Sequence, residues 1–302
     1  MRFVKDYLLN PSKAILPFVK KYNFLFPDKL YLEILFKLQV GYNLNLQDPK
    51  TYNQKLNWLK LYDRNPLYPI LVDKYAVKKW VADKVGDQYV IPTLGVWDKP
   101  EQIDFFSLPN EFVLKTTHGG GNKGVIICKD KSNFDFDSAI AKLNRALRHD
   151  TGKLFREWPY TKVPRRIIAE KYMIDSATNS LNDYKFFAFD GEVKAMFIAT
   201  DRQECGELKF DYYDADFNHL DLVQVHPMSG KVLTKPSTFD EMKRIASILS
   251  KEIPQVRCDM YEVDGKVYFG EMTLFHHGGL KPFHPMEWDY EWGKYITLPD
   301  IS

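Results

Sequence analysis

Three pairs of β-rich runs, each folded back over a glycine-bearing turn, constrain this 302-residue chain more than any other feature. Runs 111–117 and 125–129 flank a glycine cluster. Runs 184–189 and 192–200 flank Asp190-Gly191, and runs 256–263 and 267–274 flank Asp264-Gly265. Asp-Gly between such runs supplies the positive φ angles of a tight turn, so antiparallel hairpins are expected. Helical spacing fills the intervals. Val77, Trp80, Val81 and Val85 recur on one face between a capping Asp73 and a terminating Gly86, and Ile140, Leu143 and Leu147 share another. Met242, Ile245, Ala246, Leu249 and Ile253 share a third, opened by a Thr238–Glu241 capping box. Residues 166–173 form a short apolar strand, and Pro92 makes 89–97 an edge or interrupted strand. Such alternation is α/β or α+β.

Lys and Arg number 42 against 40 Asp and Glu, a formal charge of +2 that is too small for a nucleic-acid field over the whole surface. No nucleic-acid partner is expected, although a local anionic ligand is allowed. Cys128, Cys205 and Cys258 are scattered and odd in number, so neither a disulfide framework nor a metal-ligand spacing is expected, and a cytoplasmic location fits. Residues 1–45 carry seven basic and three acidic residues among many Leu, Phe and Tyr. They read either as a cap on the main body or as a peripheral contact with anionic lipid at the inner membrane face. Neither a signal-peptide cleavage site nor a run approaching a membrane span is evident.

Chemistry concentrates in FVLKTTHGGGNKG, residues 112–124. Gly119, Gly120 and Gly121 free the backbone to turn several N–H groups onto one anion. Lys115 enters on the preceding strand and Lys123 lies in the loop, so phosphate is the expected ligand, against the alternative of a flexible hairpin with chance lysines. The lysine-hydroxyl ending of a P-loop is missing, and strands flank both sides. In the last hairpin, Asp259 and Glu271 stand on opposite arms, and paired strand carboxylates suit magnesium. A strict two-residue turn pairs Asp259 with Gly270 and sends Glu271 to the other face. A three-residue loop with a glycine bulge puts Arg257, Asp259, Glu271 and Thr273 on one face, and this bulged loop is the expectation. Lys185 and Arg202 are cations at the central hairpin, suited to a transferred phosphoryl group or to a solvated surface. His118, His276, His277 and His284 lack metal spacing and are expected to be structural or to orient substrate.

In this order, the pieces resemble the ATP-grasp superfamily, most closely its TupA-like branch associated with teichuronopeptide and cell-surface polysaccharide biosynthesis, over about residues 50–298. The resemblance implies an α+β fold in which two halves with antiparallel sheets sandwich ATP. It implies a helical extension over 1–50, an α/β part over 51–110, a small subdomain with a glycine-rich lid over 111–172, and a large subdomain with the magnesium site over 173–302. It also implies that Lys74, Lys115, Lys185, the lid from His118 through Lys123, and the linker Glu170, Lys171, Tyr172 and Met173 bind ATP. Glu170 would accept from the adenine amino group. Lys185 and Arg202 would meet the γ-phosphate and an acyl phosphate, and Asp259 and Glu271 would hold Mg2+. Thr273 stands where many members carry asparagine, which leaves its role as a metal ligand open. Arg257, His276, Gly278, Gly279 and Lys281 would border the acceptor.

The implied activity is ATP-dependent carboxylate–amine ligation, joining an amino acid or peptide to a uronic acid of a polysaccharide precursor. Two rivals stand beside it. A glycosyltransferase would use an acidic triplet, for which Asp214-Ala-Asp216 is a weak candidate, and a noncatalytic ATP-binding protein would keep the shape alone. Trp58, Trp97, Trp158, Trp288 and Trp292 are either sugar-stacking or core residues.

Overall fold

The computed structural model describes residues 11–176, 180–200 and 208–300. Two helices open it, α1 (Pro11–Lys21) and α2 (Asp28–Val40), followed by α3 (Tyr52–Tyr62), α4 (Tyr68–Val72) and α5 (Ala76–Val85). Strand β1 (Thr93–Trp97) is indeed an edge strand. It pairs with β4 (Ile167–Lys171), which pairs with β2 (Phe112–Thr116) and through it with β3 (Val125–Cys128), all antiparallel. Between β3 and β4 run α6 (Phe136–Leu147), α7 (Thr151–Phe155) and α8 (Trp158–Thr161).

A second sheet has the order β7-β6-β5-β8-β9 and is also antiparallel. Its strands are β5 (Asp183–Phe189), β6 (Glu192–Thr200), β7 (Lys209–Asp214), β8 (Val256–Val263) and β9 (Lys266–Thr273). Helix α9 (Phe239–Leu249) precedes β8, and α10 (Glu287–Tyr295) closes the chain.

Each sheet buries its own apolar face. Phe112 and Leu114 of β2 meet Ile167 and Ala169 of β4 and Leu143 of α6 in a small core. Phe186, Met196 and Met260 of the second sheet meet Met242, Ile245 and Leu249 of α9, with Leu56, Val77 and Val81 of α3 and α5, in the main core. A lone hairpin sheet would leave one face wet, and these helices remove it from water.

The last hairpin corrects the expected turn. Val263 pairs with Lys266 across a strict two-residue turn, with Asp264 and Gly265 both at positive φ (50° and 71°). The extra residue is Gly270, in mid-strand, where the register shifts between Asp259 and Met260. A side chain there would meet the Tyr261 ring at 2.9 Å and the Asp259 carbonyl at 3.1 Å, so glycine fits the bulge. The parity comes out as expected, with Asp259 opposite Glu271 and Arg257 opposite Thr273.

The Thr238 capping box does not form. Its N–H and hydroxyl donate to Glu262, while Glu241 accepts from the Tyr89 hydroxyl. Asp73 does cap, accepting from the N–H groups of Tyr75 (2.9 Å) and Ala76 (3.2 Å). The N-terminal helices cap the body: Val19, Tyr31, Leu35 and Phe36 pack with Leu280. Among the described residues no helix is long and apolar enough to cross a membrane. Arg202 and Cys205 lie outside the described residues.

Candidate active site

Between the two sheets lies a cleft of about 1270 Å³. The first sheet contributes Lys115 of β2, Gly120 and Gly121 of the glycine loop, and Glu170, Lys171, Tyr172 and Met173 at the end of β4. The second contributes Lys185, Arg257, Asp259, Glu271 and Thr273. The triglycine segment and the acid-bearing hairpin thus face a common space.

Period-two alternation puts these side chains there. On β2, Phe112, Leu114 and Thr116 are buried, while Val113 and Lys115 face the cleft. On the second sheet, Lys185 stands opposite Asp259, and Asp259 opposite Glu271, so a cation and two carboxylates form one row across three strands. Arg257, two residues before Asp259, shares its face.

The row is knitted by ion pairs. Arg257 donates from Nε to Asp259 Oδ1 (2.6 Å) and from Nη2 to Oδ2 (2.8 Å), a two-point clamp, and its Nη2 lies 3.5 Å from Glu271. Lys185 pairs with both Asp259 and Asp183, the latter at 2.7 Å. Lys74 lies 3.3 Å from Glu271 and donates to the Gly119 carbonyl, so one ammonium ties the glycine loop to the acidic hairpin. Burial opposes ionisation of Glu271, yet the charges of Lys74, Lys185 and Arg257 outweigh it and hold its pKa at about 2. Burial, with a smaller contribution from the Asp183 charge, pushes Asp259 upward despite Arg257 and Lys185.

Glu170 anchors the first sheet's side of the cleft. Its carboxylate takes Lys78 on one oxygen and Lys115 on the other, each at 2.5 Å. Burial works against its ionisation, but the two lysines prevail and hold it below the usual carboxylate range. Sequence reasoning missed Lys78, although it lies one helical turn beyond Lys74.

Other expected site residues lie elsewhere. Lys123 is exposed and meets the His149 ring at 3.1 Å, away from the cleft. His118 is buried behind the loop, its Nε2 against the His149 carbonyl (3.2 Å), and burial together with Arg165 lowers its pKa. His276 is also buried. Its Nδ1 lies 2.8 Å from Arg257 and must accept, because a guanidinium only donates, so the proton sits on Nε2. Gly279 packs against α3, where a side chain would strike Leu56 and Asn57 at 2.9 Å. Gly278 and Lys281 do line the cleft, as does His277.

No tryptophan lines the cleft among the described residues, and Trp292 is core, at 1% exposure. Asp214 shapes a turn, accepting from the N–H groups of Asp216 (2.9 Å) and Asn218 (2.8 Å), and neither acid of the triplet lines the cleft.

Among the described residues, nine cationic side chains and five carboxylates line the cleft, a surplus suited to a polyanionic ligand although the whole chain is nearly neutral. Two antiparallel sheets closing on such a cleft, one bearing a glycine-rich loop and the other a row of carboxylates, define a two-sheet α+β protein with a cationic cleft. Residues 54–297 match the family described as TupA-like ATPgrasp, and the chain belongs to that family. No curated protein matches it. Among solved structures it is similar to the D-alanine–D-alanine ligase of Helicobacter pylori, with 11% identity and a TM-score of 0.46, covering 83% of this chain and 68% of that one. It is also similar to an ADP complex of N5-carboxyaminoimidazole ribonucleotide synthetase, with 16% identity and a TM-score of 0.46, covering 80% and 56%. A third similarity is to the ATP-grasp ligase PsnB complexed with minimal precursor, with 13% identity and a TM-score of 0.40, covering 73% and 58%. The chain thus spans little more than half the length of the latter two.

Proposed function

We propose that the cleft binds ATP with Mg2+ and that the chain is an ADP-forming carboxylate–amine ligase. The observation that carries this reading is Lys74, which contacts the Gly119 carbonyl and Glu271 together and so joins the glycine loop and the acidic row through one ammonium at the cleft. The adenine would lie against Tyr172, Met173 and the apolar lining from Val77 and Ile91, with the linker backbone at its edge. Glu170 would keep lone pairs for the amino group beyond its two ion pairs.

The donor set fits magnesium. Asp259 and Glu271 offer hard oxygens side by side, and the Thr273 hydroxyl is on the same face. Bound there, the ion would neutralise charge on the β- and γ-phosphates.

The chain's own groups would do the rest. Lys74, Lys115 and Lys185 would hold the phosphate oxygens, with Arg202 assigned by resemblance. A substrate carboxylate would attack the γ-phosphorus; its O–P bond forms as the bond to the bridging oxygen breaks, and ADP leaves. An amine would then attack the acyl-phosphate carbon, lose a proton, and displace phosphate. Gly120 and Gly121 leave open space where side chains would stand, which suits a loop that closes over the intermediate and excludes water.

The acceptor we propose is the uronic acid of a cell-surface or capsular polysaccharide precursor, with an amino acid or peptide as amine. We also propose a peripheral contact between the N-terminal helices and the inner membrane face, supported by exposed Phe18, Phe24 and Leu25 beside Lys21 and Lys29. A screen of uronic acids against amino acids tests the chemistry: ADP, phosphate and amide should appear in equal amounts. Release of AMP and pyrophosphate, or turnover without a divalent ion, would exclude it.

A further inference from the structure

We infer that the part of the cleft wall beside the N-terminal helices is an anion subsite, built by Lys20 and Lys281, for a second negative group on the acceptor. The inference rests on the ligase reading and narrows the acceptor to a compound with a carboxylate or phosphate besides the carboxyl group that reacts.

Lys20 reaches the cleft because its helix is fixed on the main body. The Tyr31 hydroxyl donates to the Leu154 carbonyl (3.0 Å), and Arg156 joins Asp28 (2.6 Å) and the Asn23 carbonyl (2.7 Å). Tyr31, Leu35 and Phe36 are fully buried with Leu280. These contacts turn Lys20 inward, its Nζ 5.2 Å from the centre of the Phe155 ring, while Phe18 on the same helix faces out. Lys281 follows Leu280, and its carbonyl accepts from Asn53 (2.9 Å) and Gln224 (3.0 Å), so its main chain is pinned and its side chain enters the cleft.

Neither ammonium has a carboxylate partner within ion-pair distance among the described residues. Burial and the charge of Lys281 together lower the pKa of Lys20, which registers the mutual repulsion. Glu157, a carboxylate near this part of the wall, feels the charge of Lys60, whose ammonium donates to the carbonyls of Phe155 (3.1 Å) and Gly278 (2.7 Å), and it makes no ion pair with Lys20 or Lys281. Two like charges held together by packed backbone, without a counterion, are relieved when an anion binds between them. His277 lines the same cleft and feels the charges of both Lys281 and Lys185. Its ring stays neutral, because burial and the charge of Arg257 lower its pKa, so it adds no charge to the pair.

Calorimetric binding with a non-hydrolysable ATP analogue and Mg2+ tests the subsite without turnover. The probes are D-glucuronic acid, with one anion, glucuronic acid 1-phosphate and trigalacturonate. The wild-type chain should bind at least one multiply charged probe about tenfold more tightly than the monoanion, as expected for a charge-assisted contact. Preference for the phosphate or the trimer then identifies the second group. Lys20→Gln should remove most of that preference and leave the monoanion and nucleotide affinities within about twofold, whereas Lys20→Arg should retain it. Equal affinity for all three probes, or an equal loss for all three in Lys20→Gln, would overturn the subsite. A chain that binds as described but forms no amide would refute the ligase reading alone.

Discussion

Asp259 and Glu271 stand directly opposite one another on β8 and β9 because Gly270 is an unpaired extra residue between them and the turn. Without it, the two-residue turn at Asp264-Gly265 would carry Glu271 to the far face. Gly270→Val would drive a branched side chain into the Asp259 carbonyl and the Tyr261 ring. We expect a loss of about 1–3 kcal/mol in urea unfolding, together with weakened Mg-ATP binding. A variant with wild-type stability and nucleotide affinity would show that the bulge does not set the acidic pair.

Glu271 is kept ionised by Lys74, Lys185 and Arg257 against the cost of burial. Glu271→Gln keeps its shape and removes the charge. Turnover, measured as ADP release over a magnesium titration, should fall about 100-fold. The half-saturating magnesium concentration should rise as well. Unchanged turnover would favour a noncatalytic role for the cleft.

Buried Glu170 neutralises two half-buried lysines at once. Glu170→Gln leaves Lys78 and Lys115 facing each other, and about 2–4 kcal/mol should be lost in urea unfolding. Adding Lys78→Met should recover part of that loss, because one uncompensated cation goes with it. A double variant no more stable than Glu170→Gln would mean that the pair is not coupled as the distances indicate.

How far the sequence discloses this site depends on how local the determinants are. The Asp-Gly turns act through two residues, and both Asp190-Gly191 and Asp264-Gly265 take the positive φ values that their chemistry favours. Lys115, Lys185, Asp259 and Glu271 lie on strands whose alternation can be read directly, and all four line the cleft. The bulge at Gly270 was misplaced into the turn because any glycine in the hairpin restores the same parity. Thr238 was misread because its competing partner, Glu262, comes from another element. Lys20, Lys60 and Lys78 look like ordinary lysines of amphipathic helices, and only tertiary packing turns them inward.

Buried Lys60 and the nearby, half-buried Glu157 influence each other's charge, and the slope of their joint contribution to stability against pH changes sign near neutrality. Burial lowers Lys60 to about 7 and raises Glu157 to about 7. From about pH 4.5 to 7 the folded chain holds a proton on Glu157 that the unfolded chain has lost, so stability falls as pH rises. From about pH 7 to 10.5 the unfolded chain holds a proton on Lys60 that the folded chain has lost, so stability rises with pH. The pair therefore contributes a minimum near pH 7. Urea unfolding of the wild type and of Lys60→Met/Glu157→Gln at pH 5.5, 7 and 8.5 should differ most in the double variant's favour at pH 7. A pH-independent difference would contradict this pairing.

The outer face of the N-terminal helices is unusually apolar for a surface: Phe24 is 74% exposed, Leu25 65% and Phe18 61%. Lys21 and Lys29 flank them. Inserting an exposed aromatic ring contributes about 1–2 kcal/mol, and each lysine near an anionic surface about 1 kcal/mol, which together would give reversible binding without a membrane span. The full chain should float with vesicles containing phosphatidylserine and remain behind with phosphatidylcholine alone. Salt should weaken the association, since screening acts on the lysines, and Phe18→Ser/Phe24→Ser/Leu25→Ser should abolish flotation while ATP turnover in solution stays unchanged. Flotation that survives the triple variant would assign the contact to another surface, and no flotation of the wild type would leave these helices with the single task of holding Lys20 over the cleft.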